Sequence, residues 1–234
     1  MQPKPQPGEG VLASRPAMLM PELEGTLRAH NVKLPAEAQA ADGIRILGRP
    51  VRSVVYTTDI AIIRNCDADA VFAVYPFTPQ QAISEAIIKH AYIPVFCGVG
   101  GGTTRGLRTI GLAKDVESQG AMGVIMNAPI TNLNLAAVAA AVDIPVIITV
   151  TRPDTDIDAR LNAGASILNV ACAAQTPEIV ADIRARYPDV PMIASGGPTG
   201  ESIRRTIQAG ANAVTYTPPS TAELFKRMME GYRE

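Results

Sequence analysis

The chain has no tryptophan and only two histidines and three cysteines among its 234 residues. Cys66, Cys97 and Cys172 are too few and too scattered for a disulfide framework or a zinc cluster, so a reducing, cytoplasmic location is expected. Neither His30 nor His90 follows a predicted strand, which limits the acid–base chemistry open to the chain. Because a metal site needs several histidine or carboxylate ligands close together, we also expect no metal.

An excess of one charge and long apolar runs are lacking too. Lys and Arg number 21 against 22 Asp and Glu, for a formal net charge of -1, which argues against a nucleic-acid partner. No apolar stretch approaches the roughly 20 residues of a membrane span, and the N-terminus lacks the layout of a signal peptide. With 47% hydrophobic residues, the composition is that of a soluble globular protein whose length suits one large α/β domain.

Short apolar runs recur along the chain at even distances. Four of them begin with a proline followed by Val or Met, at Pro50, Pro94, Pro145 and Pro191. Four more lie between these, in the segments that begin at residues 67, 120, 164 and 210. All eight are rich in β-branched residues, as strands buried on both faces should be. The sequence therefore predicts eight strands.

Segments with helical character separate the predicted strands. Strand and helix alternate eight times, which predicts parallel strands joined by right-handed crossovers. Eight such units form a (β/α)8 TIM barrel, and the even repeat favours that α/β fold over an open doubly wound sheet. We assign the barrel to residues 48–234. Residues 1–47 are assigned to an N-terminal tail and a helical extension, with a helix near residues 21–30.

Two predicted strands end in glycine clusters that a hydroxyl residue and a helix follow. The third strand ends "GVGGGTT" and the seventh ends "ASGGPTG". Glycines let backbone N–H groups converge, and a helix N-terminus adds partial positive charge, so the pair suits an anion. The alternative is two tight turns without a ligand. The predicted phosphate-binding residues are Gly100, Gly101, Gly102, Thr103, Ser195, Gly196 and Gly197.

A family resemblance lies in two segments, "GVGGGTTRGLRTIGLAKDVESQGAMGVIMNAPIT" and "PMIASGGPTGESIRRTIQAGANAVTYTPPS". They resemble the phosphate loops of the ribulose-phosphate-binding (β/α)8 barrel superfamily, above all the sugar-phosphate isomerase and cyclase of histidine biosynthesis. The resemblance implies a phosphorylated substrate held between two sites, with a catalytic aspartate after the first strand and another after the fifth. Asp59 matches the first position, but Thr149 or Thr151 stands at the second. After the eighth strand, "TPPS" offers prolines, which have no N–H to donate.

Five further side chains near predicted strand ends are candidates for chemistry. Asp59 could act as a base, or it could cap the next helix. Cys97 could be an acid or a nucleophile if a neighbouring group lowers its pKa, or it could be buried and inert. Asn127 and Asn169 could bind substrate hydroxyls or carbonyls, or fill turns. Arg152 could pair with a carboxylate or phosphate, or form a surface salt bridge.

These patterns predict an enzyme that acts on a small phosphorylated or otherwise anionic metabolite by proton transfer, as an isomerase, epimerase or lyase. No lysine follows a predicted strand, so Schiff-base chemistry has no nucleophile. No cofactor is expected. The first alternative is an FMN-dependent oxidoreductase with the FMN phosphate on the seventh-strand loop. The second alternative is a non-catalytic barrel that binds a small anion, and homo-oligomerisation is left open.

Overall fold

A computed structural model describes residues 32–233. The tail and the helix predicted within residues 1–31 lie outside the described residues. The strands are β1 (Ile44–Ile46), β2 (Arg49–Val51), β3 (Ser53–Tyr56), β4 (Ala70–Ala73), β5 (Val95–Gly100), β6 (Gly123–Met126), β7 (Val146–Val150), β8 (Ile167–Val170), β9 (Met192–Ser195) and β10 (Ala213–Tyr216). The α-helices are α1 (Ile60–Arg64), α2 (Gln81–His90), α3 (Leu107–Ser118), α4 (Asn132–Ala139), α5 (Ile157–Asn162), α6 (Thr176–Arg186), α7 (Gly200–Gln208) and α8 (Thr221–Gly231).

Strands β3 to β10 form a closed barrel in which every neighbouring pair is parallel. A helix follows each barrel strand before the next begins, so the predicted (β/α)8 TIM barrel is confirmed. Strands β5 and β9, which end in the two glycine clusters, lie four strands apart and therefore on opposite sides of the barrel.

Side chains alternate between the interior of the barrel and the layer beneath the helices, because successive residues of a strand point to opposite faces. The interior is filled by aliphatic and aromatic side chains that include Val54, Ile125, Ile147 and Ile193. Phe72 and Phe96 also lie there and meet edge to face, with ring centroids 5.6 Å apart. The opposite faces of the same strands pack against the helices in a larger apolar cluster.

A hairpin of β1 and β2 closes the amino-terminal end of the barrel. The two strands are antiparallel, and Ile44, Ile46 and Val51 join the apolar interior. The N–H of Gly43 donates to the carbonyl of Asn212 at 2.8 Å, just before β10 begins. The turn of the hairpin spans residues 47–48. The boundary predicted between residues 47 and 48 therefore lies within this hairpin, whose side chains pack into the barrel interior.

A short 3-10 helix, Ala36–Ala40, covers α7. Ala38 is fully buried against Ile203 and Val214. The carboxylate of Glu37 lies against the backbone of Gly200 at the start of α7 and pairs with Arg204 at 3.2 Å. The chain thus supplies its own negative charge at this helix N-terminus, where the macrodipole favours it.

Within residues 32–233, no helix has both the length and the apolar character needed to cross a membrane.

Candidate functional site

Polar side chains line the mouth of the barrel, which is the opening at the carboxyl ends of its strands. Each lies two residues after an inward-facing apolar residue, so strand alternation turns it inward as well. The set is Tyr56, Asn127, Thr149, Asn169, Ser195 and Thr215. TIM-barrel enzymes carry their active sites at this end, so this layer is the candidate site.

Three of these side chains form a hydrogen-bonded row across adjacent strands. The hydroxyl of Thr149 donates to Oδ1 of Asn127 at 3.0 Å, and Nδ2 of Asn169 donates to the Thr149 hydroxyl at 3.2 Å. Thr149 is 7% exposed and Asn169 is 6% exposed. Oδ1 of Asn169 is buried and has no hydrogen-bond partner among the described residues. The row is therefore ordered but incomplete at one end.

A cavity of about 520 Å³, here the first cavity, opens beside this row. Tyr56, Gly98 and Asn127 line it from the strands, and the loop at residues 75–79 forms one wall. Gly98 contributes no side chain, which leaves room between Tyr56 and Asn127. Burial raises the pKa of the Tyr56 phenol, so it is protonated near neutral pH.

A second cavity, of about 490 Å³, lies where β9 and β10 end. Ser195, Thr215 and Thr217 line it with hydroxyl groups, and two charged residues of α8, Arg227 and Glu223, line it as well. The Glu223 carboxylate accepts from the N–H and the hydroxyl of Ser220, the N-cap of α8. Strand β10 pairs with both β9 and β3, so Thr215 lies on the strand next to that of Tyr56. The two cavities are thus lined by neighbouring strands, β3 and β10.

The first glycine turn engages its amides within the protein. Gly101 N–H donates to the carbonyl of Thr104, and Gly102 N–H donates to the carbonyl of Pro129, both at 3.0 Å. A Cβ on Gly100 would lie 2.6 Å from the Thr109 side chain, and one on Gly101 would lie 2.3 Å from the carbonyl oxygen of Asn127. Close packing accounts for Gly100 and Gly101. All four predicted residues of this turn, Gly100, Gly101, Gly102 and Thr103, also line the first cavity, so phosphate binding here remains a prediction.

The second glycine turn is also tied to the protein. Gly196 N–H donates to the carbonyl of Thr215 at 3.1 Å. Gly197 has a φ of 78°, and a Cβ there would lie 2.5 Å from the hydroxyl of Ser202. Ser195 and Gly197 nevertheless line the second cavity, so phosphate binding at this turn remains a prediction that rests on side chains more than on amides.

Asp59 is the N-cap of α1. Its Oδ1 accepts from the N–H groups of Ala61 at 2.8 Å and Ile62 at 3.3 Å, and its Oδ2 accepts from the hydroxyl of Thr221. The capping alternative describes this geometry. A role as base remains a prediction, and proton abstraction would require one of these hydrogen bonds to break.

The remaining candidates lie away from the cavities. Cys97 packs with Val95 and Val99 beneath the helices, and burial raises the pKa of its thiol to about 12. This placement leaves Cys97 out of the function proposed below. Arg152 forms a two-pronged ion pair with Asp154 on the surface, as the salt-bridge alternative describes. In residues 32–233, no group of three or more His, Cys, Asp or Glu could hold a metal ion.

Sequence reasoning missed Tyr56, Arg227 and the position of Thr149 in the row. The signal for Tyr56 and Thr149 is an apolar residue followed two positions later by a polar one, as in Val54–Tyr56 and Ile147–Thr149. Arg227 carries no such signal, because it lies on a helix whose approach to the mouth depends on the fold.

Comparison with known proteins identifies the fold. No family model and no curated protein sequence matches the chain. Among solved structures, dihydrodipicolinate synthase from Agrobacterium tumefaciens matches with a TM-score of 0.56 and 17% identity over 77% of this chain and 71% of that one. Phosphoenolpyruvate phosphomutase from Streptomyces platensis matches with a TM-score of 0.60 and 13% identity over 85% and 83%.

A third match is phosphonopyruvate hydrolase in complex with oxalate and Mg²⁺, with a TM-score of 0.58 and 14% identity over 77% of this chain and 79% of that one. These matches support the predicted TIM-barrel fold but not the resemblance to the histidine-biosynthesis barrels. The chain therefore shares the TIM-barrel fold with these enzymes.

Proposed function

We propose that this protein is a lyase- or isomerase-type enzyme that acts by proton transfer on a small anionic metabolite bound at the barrel mouth. The observation that carries the proposal is the buried row of Asn127, Thr149 and Asn169 at the carboxyl end of a closed barrel, with a cavity on either side of it. Convergent polar groups beside a cavity of this size are typical of a small-molecule site.

The second cavity is the proposed anion site. The guanidinium of Arg227 supplies positive charge, and a guanidinium suits the planar geometry of carboxylate and the oxygens of phosphate. The hydroxyls of Ser195, Thr215 and Thr217 line the same cavity and can donate to the remaining oxygens. Phosphate and carboxylate share this chemistry.

Tyr56 is the proposed proton donor. Its phenol lines the first cavity, and it is protonated near neutral pH as phenols are. A protonated phenol can donate to the oxygen of a substrate carbonyl as negative charge develops there, which lowers the barrel enzyme's barrier for proton removal from the adjacent carbon. Asp59 remains the proposed base. Because it caps α1 and lines neither cavity, this role requires its carboxylate to release the Thr221 hydroxyl and turn toward the mouth.

The structural neighbours support an enzyme that acts on a small molecule. By their names they are a synthase, a mutase and a hydrolase, and one of them holds oxalate, a small dianion, together with Mg²⁺. We propose no flavin, because the turn after β10 presents Pro218 and Pro219, which have no N–H for a cofactor phosphate.

Replacing Arg227 with glutamine tests the anion site. Inorganic phosphate and a panel of small phosphorylated and carboxylated metabolites are screened by thermal shift. We expect stabilisation by at least one compound, with its Kd raised at least about tenfold in Arg227→Gln because a charge-assisted contact is lost. Lys226→Gln removes the same charge from the neighbouring residue, which does not line the cavity, and should leave Kd unchanged. Equal losses in both variants, or no stabilisation of the wild type, would contradict the anion site.

Replacing Tyr56 with phenylalanine tests the proton donor. With a compound that the wild type turns over, we expect kcat to fall about 10²- to 10⁴-fold while Kd changes little, because only the phenolic proton is removed. Proton exchange into the substrate, followed by NMR in D₂O, measures the step directly. If the wild type binds its ligand without any exchange or turnover, the protein is a binding barrel and the enzymatic part of the proposal is lost.

A further inference from the structure

The hydrogen bonds of the row at the mouth have a fixed direction. A threonine hydroxyl has one proton, and Thr149 donates it to Oδ1 of Asn127. Thr149 then accepts from Nδ2 of Asn169. The row therefore leaves an amide donor at its Asn127 end, where the side chain lines the first cavity, and an acceptor, Oδ1 of Asn169, at its other end.

Oδ1 of Asn169 lowers the stability of the protein unless a hydrogen-bond donor reaches it. Asn169 is 6% exposed, and its Oδ1 has no partner among the described residues. A buried polar atom without a hydrogen bond is rare and costs stability, whereas an apolar residue of similar size would not. The amide nitrogen of the same side chain donates to Thr149. The side chain is therefore held in the row, and its oxygen is not free to turn toward solvent.

Asn169 lies between residues that line the two cavities. Its strand, β8, lies between β7, which carries Thr149, and β9, which carries Ser195 of the second cavity. Asn127, at the other end of the row, lines the first cavity. A ligand that is held in the second cavity and also contacts Asn127 therefore lies across the row.

We infer that the substrate carries a hydrogen-bond donor, a hydroxyl or an amino group, beside the group that binds Asn127, and that Oδ1 of Asn169 accepts from it. The inference rests on the proposed function and narrows its substrate class to hydroxylated or aminated small anions. Compounds that lack the donor leave the acceptor buried and unpaired, so the site selects against them.

The first test is the stability of the free protein. Leucine has nearly the shape of asparagine. Asn169→Leu removes the unpaired acceptor together with the Nδ2 hydrogen bond to Thr149, so its Tm should fall by less than that of a variant that loses only a satisfied buried hydrogen bond, or should rise. Thr206→Val is the matched control, because the Thr206 hydroxyl is also buried and does have a partner, the carbonyl of Ser202 at 3.0 Å. Its Tm should fall. A fall in Tm for Asn169→Leu that equals or exceeds the fall in the control would show that the acceptor is satisfied within the protein, and would overturn the inference.

The second test is binding, with glycerate, propionate and erythritol as probes. Glycerate should bind the wild type with a Kd at least about tenfold below that of propionate, and this preference should vanish in Asn169→Leu. If propionate bound as tightly as glycerate, the anion site would be supported and the inference would be overturned. Binding of erythritol is detected by saturation-transfer NMR. Binding to the wild type that disappears in Asn169→Leu would support the inference even if neither anion bound. Failure of both hydroxylated probes to bind would overturn it.

Discussion

Arg184→Met is expected to lower the free energy of unfolding by about 3–4 kcal/mol. The Arg184 guanidinium, on α6, donates to the carbonyl of Gly210 and to Oδ1 of Asn212. It also donates to carbonyls just before β9, which are those of Tyr187, Pro188 and Val190. Methionine keeps the apolar stem but removes the donor to the carbonyls of Gly210 and Val190, whereas Asn212 Oδ1 still accepts from the N–H of Met192 and the Tyr187 carbonyl from that of Val190. Urea denaturation measures the loss.

Arg186→Met is the matched control on the same helix. Arg186 pairs only with the exposed Asp182, one turn earlier, among the ion pairs described. Exposed pairs of this kind contribute at most about 1 kcal/mol. Similar losses of stability in Arg184→Met and Arg186→Met would contradict the view that Arg184 fastens α6 to the start of β9 and β10.

Gly101→Ala is expected to destabilise the protein by about 3 kcal/mol or more and to weaken ligand binding at the mouth. Gly101 has a φ of 120°, where side chains are strained, and a Cβ there would lie 2.3 Å from the carbonyl oxygen of Asn127. Backbone atoms cannot yield as a flexible side chain can, so Asn127 would have to move. Urea denaturation and the thermal shift with the bound metabolite measure the two effects.

Gly102→Ala separates packing from conformation. Gly102 has a φ of 61°, but a Cβ there would have no atom within 4 Å. The left-handed conformation alone should cost about 1 kcal/mol. If both variants lost equal stability, the close approach of Gly101 to Asn127 would not be what requires glycine in this turn.

The barrel could be predicted from the sequence because each strand is buried on both faces and is marked by the same pattern. The apolar run after each proline or small turn is a local signal, and eight repeats of it leave few arrangements. Shorter elements were harder to predict. Arg49–Val51 was assigned to the first barrel strand, but it pairs with Ile44–Ile46 in the hairpin. A strand of three residues is too short for its pattern to show where the hairpin strand β2 ends and the barrel strand β3 begins.

Helix starts were predictable where a side chain caps the helix and less so elsewhere. Thr131, Asp156 and Thr199 cap α4, α5 and α7 as their sequences suggest. A threonine followed by a proline is typical of a helix start and predicts one at Thr78–Pro79, but α2 begins at Gln81, and Thr78 and Pro79 line the first cavity instead. The N–H of Gln80 donates to the Tyr75 hydroxyl, a contact that depends on the fold.

The site was only partly predictable, because glycine has two uses that a sequence does not distinguish. A glycine cluster at a strand end fits both an anion cradle and a tight contact between backbones. At Gly100 and Gly101 the structure favours contact, with Thr109 and Asn127 as the neighbours. Asn127 and Asn169 were predicted to lie at the ends of strands, but their link through Thr149 required the order of the strands around the barrel.

The hairpin beneath the barrel protects its apolar interior from water. Ile44, Ile46 and Val51 cover that interior at the amino-terminal end. A truncated chain that began at β3 would expose these apolar contacts and should be prone to aggregation.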